Sequence, residues 1–196
     1  MELDHIFIFV QPSAPEANAL TQFGFTEGRR RAHPGQGTTN VCFFFQNAFL
    51  ELLWTINEDE VRSPVIQPTG LWERSRWHST NACPFGIAFR SSSTAPLPFD
   101  IWNYQPPYMP AGRAIPIATN SPIQQEPLLF ISPARIPPSA TPPETRPVLE
   151  HPCGVQTITA VTVTLPIAAA SPELSAVQNL GLVQWVRERI EITSHF

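Results

Sequence analysis

Apolar residues dominate Leu3-Asp4-His5-Ile6-Phe7-Ile8-Phe9-Val10 and again Phe49-Leu50-Glu51-Leu52-Leu53-Trp54, and each short run, bounded by turn residues, predicts a β-strand. Between them Ser13-Ala14-Pro15-Glu16 has the Ser-x-x-Glu form of a capping box. It predicts a helix running to Phe23 and stopping at Gly24, with Leu20 and Phe23 on its buried face. Phe25 to Arg31 and Asn40 to Gln46 read as two further strands, joined by the Gly/Pro loop His33-Pro34-Gly35-Gln36-Gly37-Thr38. Asn47-Ala48 makes the tight turn into the strand at 49–54. The first module therefore reads β-α-β-β-β.

The same landmarks recur near the end of the chain. Ile158 to Val163, then Pro172-Glu173, then Leu180-Gly181-Leu182, then Arg189 to Thr193 repeat the order, and Pro15, Glu16, Gly24 and Phe25 fall on Pro172, Glu173, Gly181 and Leu182 at one offset. A duplicated β-α-β unit follows, with Ala160 in the place of His5 and Glu191 in the place of Glu51. On this reading 1–54 and 155–196 are the paired halves. The middle is weaker in pattern: strands are predicted at 84–90, 114–118 and 127–131, and the aromatic stretch Ile101 to Met109 reads as a loop, either a plug on the sheet or a pocket wall. The expected organisation is a first βαβββ module at 1–58, a degenerate β-rich module at 59–133, a proline-rich linker at 134–154 and a final βαββ module at 155–196, all one unit. The expected class is α+β, a curved half-open mixed sheet.

Composition narrows the function. The 196 residues carry a net charge of -4 with 14% charged residues, which leaves no electrostatic footprint for nucleic acid or an anionic membrane. All 12 basic residues are arginine, so Schiff-base chemistry and a P-loop lysine are excluded. Cys42, Cys83 and Cys153 are odd in number and unevenly spaced, as expected of free thiols in a reducing compartment. No basic or apolar leader precedes the opening strand, and a cytoplasmic location is the expectation. Arg29-Arg30-Arg31 is too short for a nucleic-acid patch and reads as a solvated face.

Three segments, Leu3-Asp4-His5-Ile6, the loop from His33 to Asn40, and Leu50-Glu51-Leu52-Leu53-Trp54, together resemble the glyoxalase-like branch of the vicinal oxygen chelate superfamily. The resemblance implies βαβββ modules pairing into a half-open barrel with a divalent metal (Mn, Fe, Ni, Zn or Mg) inside. Position by position, His5 matches the first-strand metal histidine, Glu51 the fourth-strand carboxylate, and Glu191 the carboxylate of the closing strand. Ala160 cannot ligate. If the middle segment is the partner instead, Gly86 and Ile131 fall at the ligand positions and supply nothing. Glu51 sits in an apolar strand, where a carboxylate needs a partner, a metal or a cavity. Glu51 and Glu191 are the candidate proton shuttles.

His33, Asn40, Trp102, Tyr104 and Tyr108 are the candidate substrate contacts. Two readings stand. One is a metal-dependent lyase, isomerase or dioxygenase acting on a small oxygenated molecule; the other is a non-catalytic, resistance-protein-like binding module. A homodimer is the third partner expectation.

Overall fold

In a computed structural model, residues 1–91 and 96–187 are described, and Glu191 lies outside them. One mixed sheet of eight strands dominates: β1 (Glu2–Phe9), β2 (Arg30–His33), β3 (Thr38–Phe44), β4 (Phe49–Thr55), β5 (Phe85–Arg90), β6 (Ile101–Tyr104), β7 (Ile115–Ala118) and β8 (Leu128–Ile131). Their spatial order is β2-β3-β4-β1-β5-β8-β7-β6. Read outward from the centre, each half repeats the same sequence of strands, first strand, fourth, third, second. β1 runs parallel to β4, β5 runs parallel to β8, and β1 and β5 meet antiparallel at the seam.

The expected pairing of 1–54 with 155–196 is thereby corrected: the middle segment is the second half of the sheet. The C-terminal repeat forms a separate two-stranded parallel sheet, β9 (Thr162–Leu165) and β10 (Gln184–Arg187), around a helix at Pro172–Asn179. Ala160 precedes β9 and belongs to no strand. The repeat is nonetheless real at its helix. Helix α1 (Glu16–Phe23) covers the convex face of the first half, where Ala17 and Leu20 pack with Val41, Phe43, Leu52 and Trp54. Three short helices follow at Glu58–Val61, Leu71–Ser75 and Trp77–Thr80 (α2 to α4). The C-terminal helix, α5, buries Leu174 and Val177 against Ile87, Phe89, Leu129 and Ile131 of the second half. Residues 155–187 thus supply to the middle module the kind of helical cover that the first module carries within itself.

Local rules explain most of these elements, with two exceptions. The capping box at Ser13 does not form. Ser13 and Ala14 adopt left-handed backbone, Pro15 precedes the first helical turn, and Glu16 reaches back to accept from the Gln11 N–H at 3.1 Å. The helix ends as expected, at left-handed Gly24, with the Phe25 N–H returning to the Leu20 carbonyl. At α5 the cap is made: Ser171 Oγ accepts from the Leu174 N–H with Pro172 in the first turn. The second exception is 101–104, expected as loop and found as edge strand β6. Four residues with Trp102 and Tyr104 on one face suffice for such a strand.

The proline-rich stretch runs outside the first half as a strap. The Cys153 N–H donates to Gly24, the Ser139 N–H to Gln46, and the Gln46 N–H to Gln156. His151 pins it further, accepting from the Thr26 N–H at Nδ1 and reaching the Phe44 carbonyl from Nε2. Cys42, Cys83 and Cys153 are free, the first two buried. Among the described residues, no helix is long and apolar enough to cross a membrane.

Candidate ligand cavity

The concave face of the sheet encloses a cavity of about 430 Å³ whose lining includes His5, Arg31, His33, Asn40, Glu51, Tyr104, Tyr108 and Phe130. Strand alternation puts them there. On β4 Phe49, Glu51 and Leu53 face the cavity while Leu50, Leu52 and Trp54 enter the convex core, and on β3 Asn40, Cys42 and Phe44 face in while Val41 and Phe43 face out.

On β1 a bulge between Leu3 and His5 breaks the alternation. Leu3 packs with the convex cluster, whereas both Asp4 and His5 line the cavity. The extra residue is put to use. Asp4 accepts from His5 Nδ1 at 2.7 Å with one oxygen and from Arg90 Nη1 at 2.7 Å with the other. Arg90 also donates to the Asn47 carbonyl. Burial alone would push the Asp4 carboxyl up, but hydrogen bonds from His5, Arg90 and Ser132, with the His5 charge, hold it below its ordinary range. An ionised Asp4 only accepts, so His5 donates to it from Nδ1 and turns Nε2 to the cavity.

Glu51 is what His5 faces. Its Oε2 stands 3.6 Å from His5 Nε2, and its Oε1 accepts from the Asn40 amide at 2.5 Å. Asn40 is itself oriented, since its carbonyl oxygen accepts from the Arg31 N–H. Phe49 stacks on the imidazole at 4.3 Å and Phe130 meets it edge-on at 5.3 Å. Cys42 pairs across the strands with Glu51, and burial together with that carboxylate pushes its thiol far up, so it stays protonated and is no nucleophile.

Along the same wall, Tyr104 donates to Gln36 Oε1, Gln36 Nε2 donates to Thr38 Oγ1, and His33 Nδ1 lies 3.0 Å from that hydroxyl. The His33 ring lies against Tyr108. Burial lowers the His33 pKa from its ordinary 6.5. Burial raises both phenols, Tyr108 to about 12, so both hydroxyls keep their protons at neutral pH.

Of the residues singled out from sequence, His5, Glu51, Asn40, His33, Tyr104 and Tyr108 converge on this cavity. Trp102 is not in its lining; it packs in the core beside Ile117 and donates to Ser121 Oγ at 3.0 Å. Asp4, Arg90 and the cavity-facing Arg29 and Arg31 were missed. For Asp4 the sequence gives no signal, because a bulge leaves none in the alternation.

The second half answers the first with no donor. Gly86 and Phe130 occupy the positions on β5 and β8 that correspond to His5 and Glu51; Ile131, expected at the carboxylate position, faces the convex core instead. Among the described residues, no group of three His, Cys, Asp or Glu side chains stands together to hold a metal ion. An imidazole and one carboxylate do not make a resident divalent site, for which three or more protein ligands are usual. Glu191 lies outside the described residues.

The strand order, the two-module symmetry and a first-strand histidine beside a fourth-strand carboxylate agree with a comparison of the sequence with family models, in which the glyoxalase-like domain model matches residues 3–177. The chain belongs to this glyoxalase-like family. It is thus a member of the vicinal oxygen chelate superfamily. No curated protein matches the sequence.

Proposed function

We propose that the concave cavity of this glyoxalase-like protein binds a small oxygenated organic molecule and that Glu51, with His5 beside it, moves a proton on it. The observation that carries the reading is an imidazole nitrogen facing a carboxylate oxygen across a gap inside the cavity. With Nδ1 committed to Asp4, His5 Nε2 and Glu51 Oε2 confront each other at 3.6 Å inside a cavity, longer than a hydrogen bond. A single proton, or a ligand hydroxyl, satisfies that space.

In the isomerase direction, Glu51 takes the proton from a carbon next to a carbonyl and the C–H electron pair becomes the enolate. Glu51, its proton free to exchange with solvent, then returns a proton to that carbon or its neighbour. Asn40 holds the carboxylate in place and Asp4 holds the imidazole. The apolar walls, Phe7, Phe49 and Phe130, exclude water from the charge that develops.

A second reading rests on a different observation. The second half contributes Gly86 and Phe130 where a ligand set would be completed, which suits a module that binds without reaction. The two readings part in heavy water. Wild-type protein incubated with hydroxyacetone should exchange its α-hydrogens for deuterium, followed by proton NMR, and Glu51→Gln should slow that exchange by about a hundredfold or more. Binding of hydroxyacetone with no exchange above the buffer rate leaves the binding module as the account.

A further inference from the structure

The arginine triplet is not one solvated face. Arg30 turns away and is held by Glu27 through two hydrogen bonds, 2.7 and 3.0 Å, whereas Arg29 and Arg31 both line the cavity. Both are exposed while His5 and Glu51 are buried, which places the arginines at the mouth and the proton-transfer pair at the floor. Neither Arg29 nor Arg31 has a carboxylate within salt-bridge distance among the described residues.

Each guanidinium is nevertheless held in position. Arg29 lies over the Phe44 ring at 5.2 Å and Arg31 over the Tyr108 ring at 5.5 Å, and both rings are cavity wall. A guanidinium placed over an aromatic ring spends none of its N–H donors on a carboxylate and so keeps the fork that binds one. Two such forks stand at the entrance of a cavity whose inner walls are Phe7, Phe49 and Phe130.

We infer that the ligand is an organic carboxylate with a flat apolar body, its acid group held at the mouth by Arg29 and Arg31 and its reactive oxygenated end presented to His5 and Glu51. The arrangement sorts charge. A carboxylate seated at the floor would meet the Glu51 carboxylate, whereas one at the mouth meets two cations without carboxylate partners. This inference rests on the cavity being the small-molecule site proposed above and adds the class of molecule.

The test uses 4-acetylbenzoate, with its acid and its ketone at opposite ends of a flat ring, and its uncharged methyl ester, with affinities measured by calorimetry at low salt on wild type, the double variant Arg29→Gln/Arg31→Gln, and Arg30→Gln. Wild type and Arg30→Gln should hold the acid about tenfold tighter than the ester, and added salt should erode that preference. The double variant should lose it. Equal affinities for acid and ester in wild type, or a preference that survives in the double variant, overturn the inference and leave the small-molecule site standing. If wild type binds neither compound, the small-molecule reading falls together with the inference.

Discussion

The half of the sheet built by residues 1–55 turns His5, Asn40 and Glu51 toward the cavity, whereas the half built by residues 85–131 turns Gly86, Ala88, Leu128 and Phe130 toward the same face. Strand order is shared; surface chemistry is not. What the difference teaches is a division of labour. One module keeps the imidazole and carboxylate, the other supplies apolar wall, and a duplicated fold thereby yields a cavity with its titratable groups gathered on one side. The seam between them is polar as well, since Asp4 on β1 and Arg90 on β5 form an ion pair in which both side chains are buried.

Cutting that seam should have the largest effect. Asp4→Asn leaves buried Arg90 with only the exposed Glu2 carboxylate, 3.5 Å away, and removes the charged partner of His5 Nδ1, and the expected cost is about 3–5 kcal/mol in urea unfolding. The loss should also change the acid limb. The folded state holds Asp4 below its ordinary 3.8, so the stability it contributes is complete above that value and is lost as pH falls through the lowered one. The variant should lack this part of the acid transition. A cost under about 1 kcal/mol, the scale of an exposed pair, would show the seam to be ornamental.

Next in size is Gly86→Val. Gly86 pairs with Phe7 across the seam, and a Cβ there would overlap the Phe7 ring. Backbone or ring must shift, at about 2–3 kcal/mol. Adding Phe7→Leu should recover part of the loss, which a double-mutant cycle measures as a coupling of at least about 0.5 kcal/mol. Strict additivity would mean that the close approach is not what keeps position 86 a glycine.

Strands β1, β3 and β4 were legible because each carries an apolar run between clear turns, whereas β2, Arg30–His33, has none and lies mostly beyond the 25–31 predicted for it; the pairing of His5 with Glu51 came from the family resemblance. The partner half was misassigned for a physical reason. A module is recognised from sequence largely by its helix, through Pro-Glu at the start and Gly at the end, and the helix on the second half's convex face comes from residues 172–179 rather than from between β5 and β6. The repeat therefore pointed to the helix and not to the sheet. Arg29 and Arg31 were read as solvated because alternation gives faces without saying which face is concave. Asp4 was invisible because a one-residue bulge moves a side chain without altering composition.

The asymmetry is also open to partial reversal. Phe130 meets His5 edge-on at 5.3 Å, so a carboxylate at position 130 would join His5 and Glu51 and raise the donor count from two to three. Phe130→Glu should bind Zn or Mn at least about tenfold more tightly than wild type by calorimetry. In wild type, dialysis against a chelator should leave ligand affinity unchanged. If chelation abolishes wild-type binding, and Glu191→Gln abolishes it equally, Glu191 completes a metal site after all.

The smallest effect should come from His33, and it distinguishes a wall residue from a member of the proposed proton-transfer pair. Burial, and behind it the charges of Arg31 and His5, lower the His33 pKa from 6.5, against the pull of Glu51. A depressed imidazole is neutral in the folded chain where the unfolded chain already takes up a proton. Stability is therefore level above pH 6.5 and declines as pH falls below it, until the lowered folded value is passed. The slope contributed by one such group cannot exceed about 1.4 kcal/mol per pH unit. His33→Gln removes the titrating group and with it the slope, so the stability gap between wild type and variant should narrow from pH 7.5 to pH 5 in urea titrations. Parallel curves would mean that the ring is solvated enough to titrate normally, and that the wall from Tyr104 through Gln36 and Thr38 to His33 is less dry than its hydrogen bonds imply.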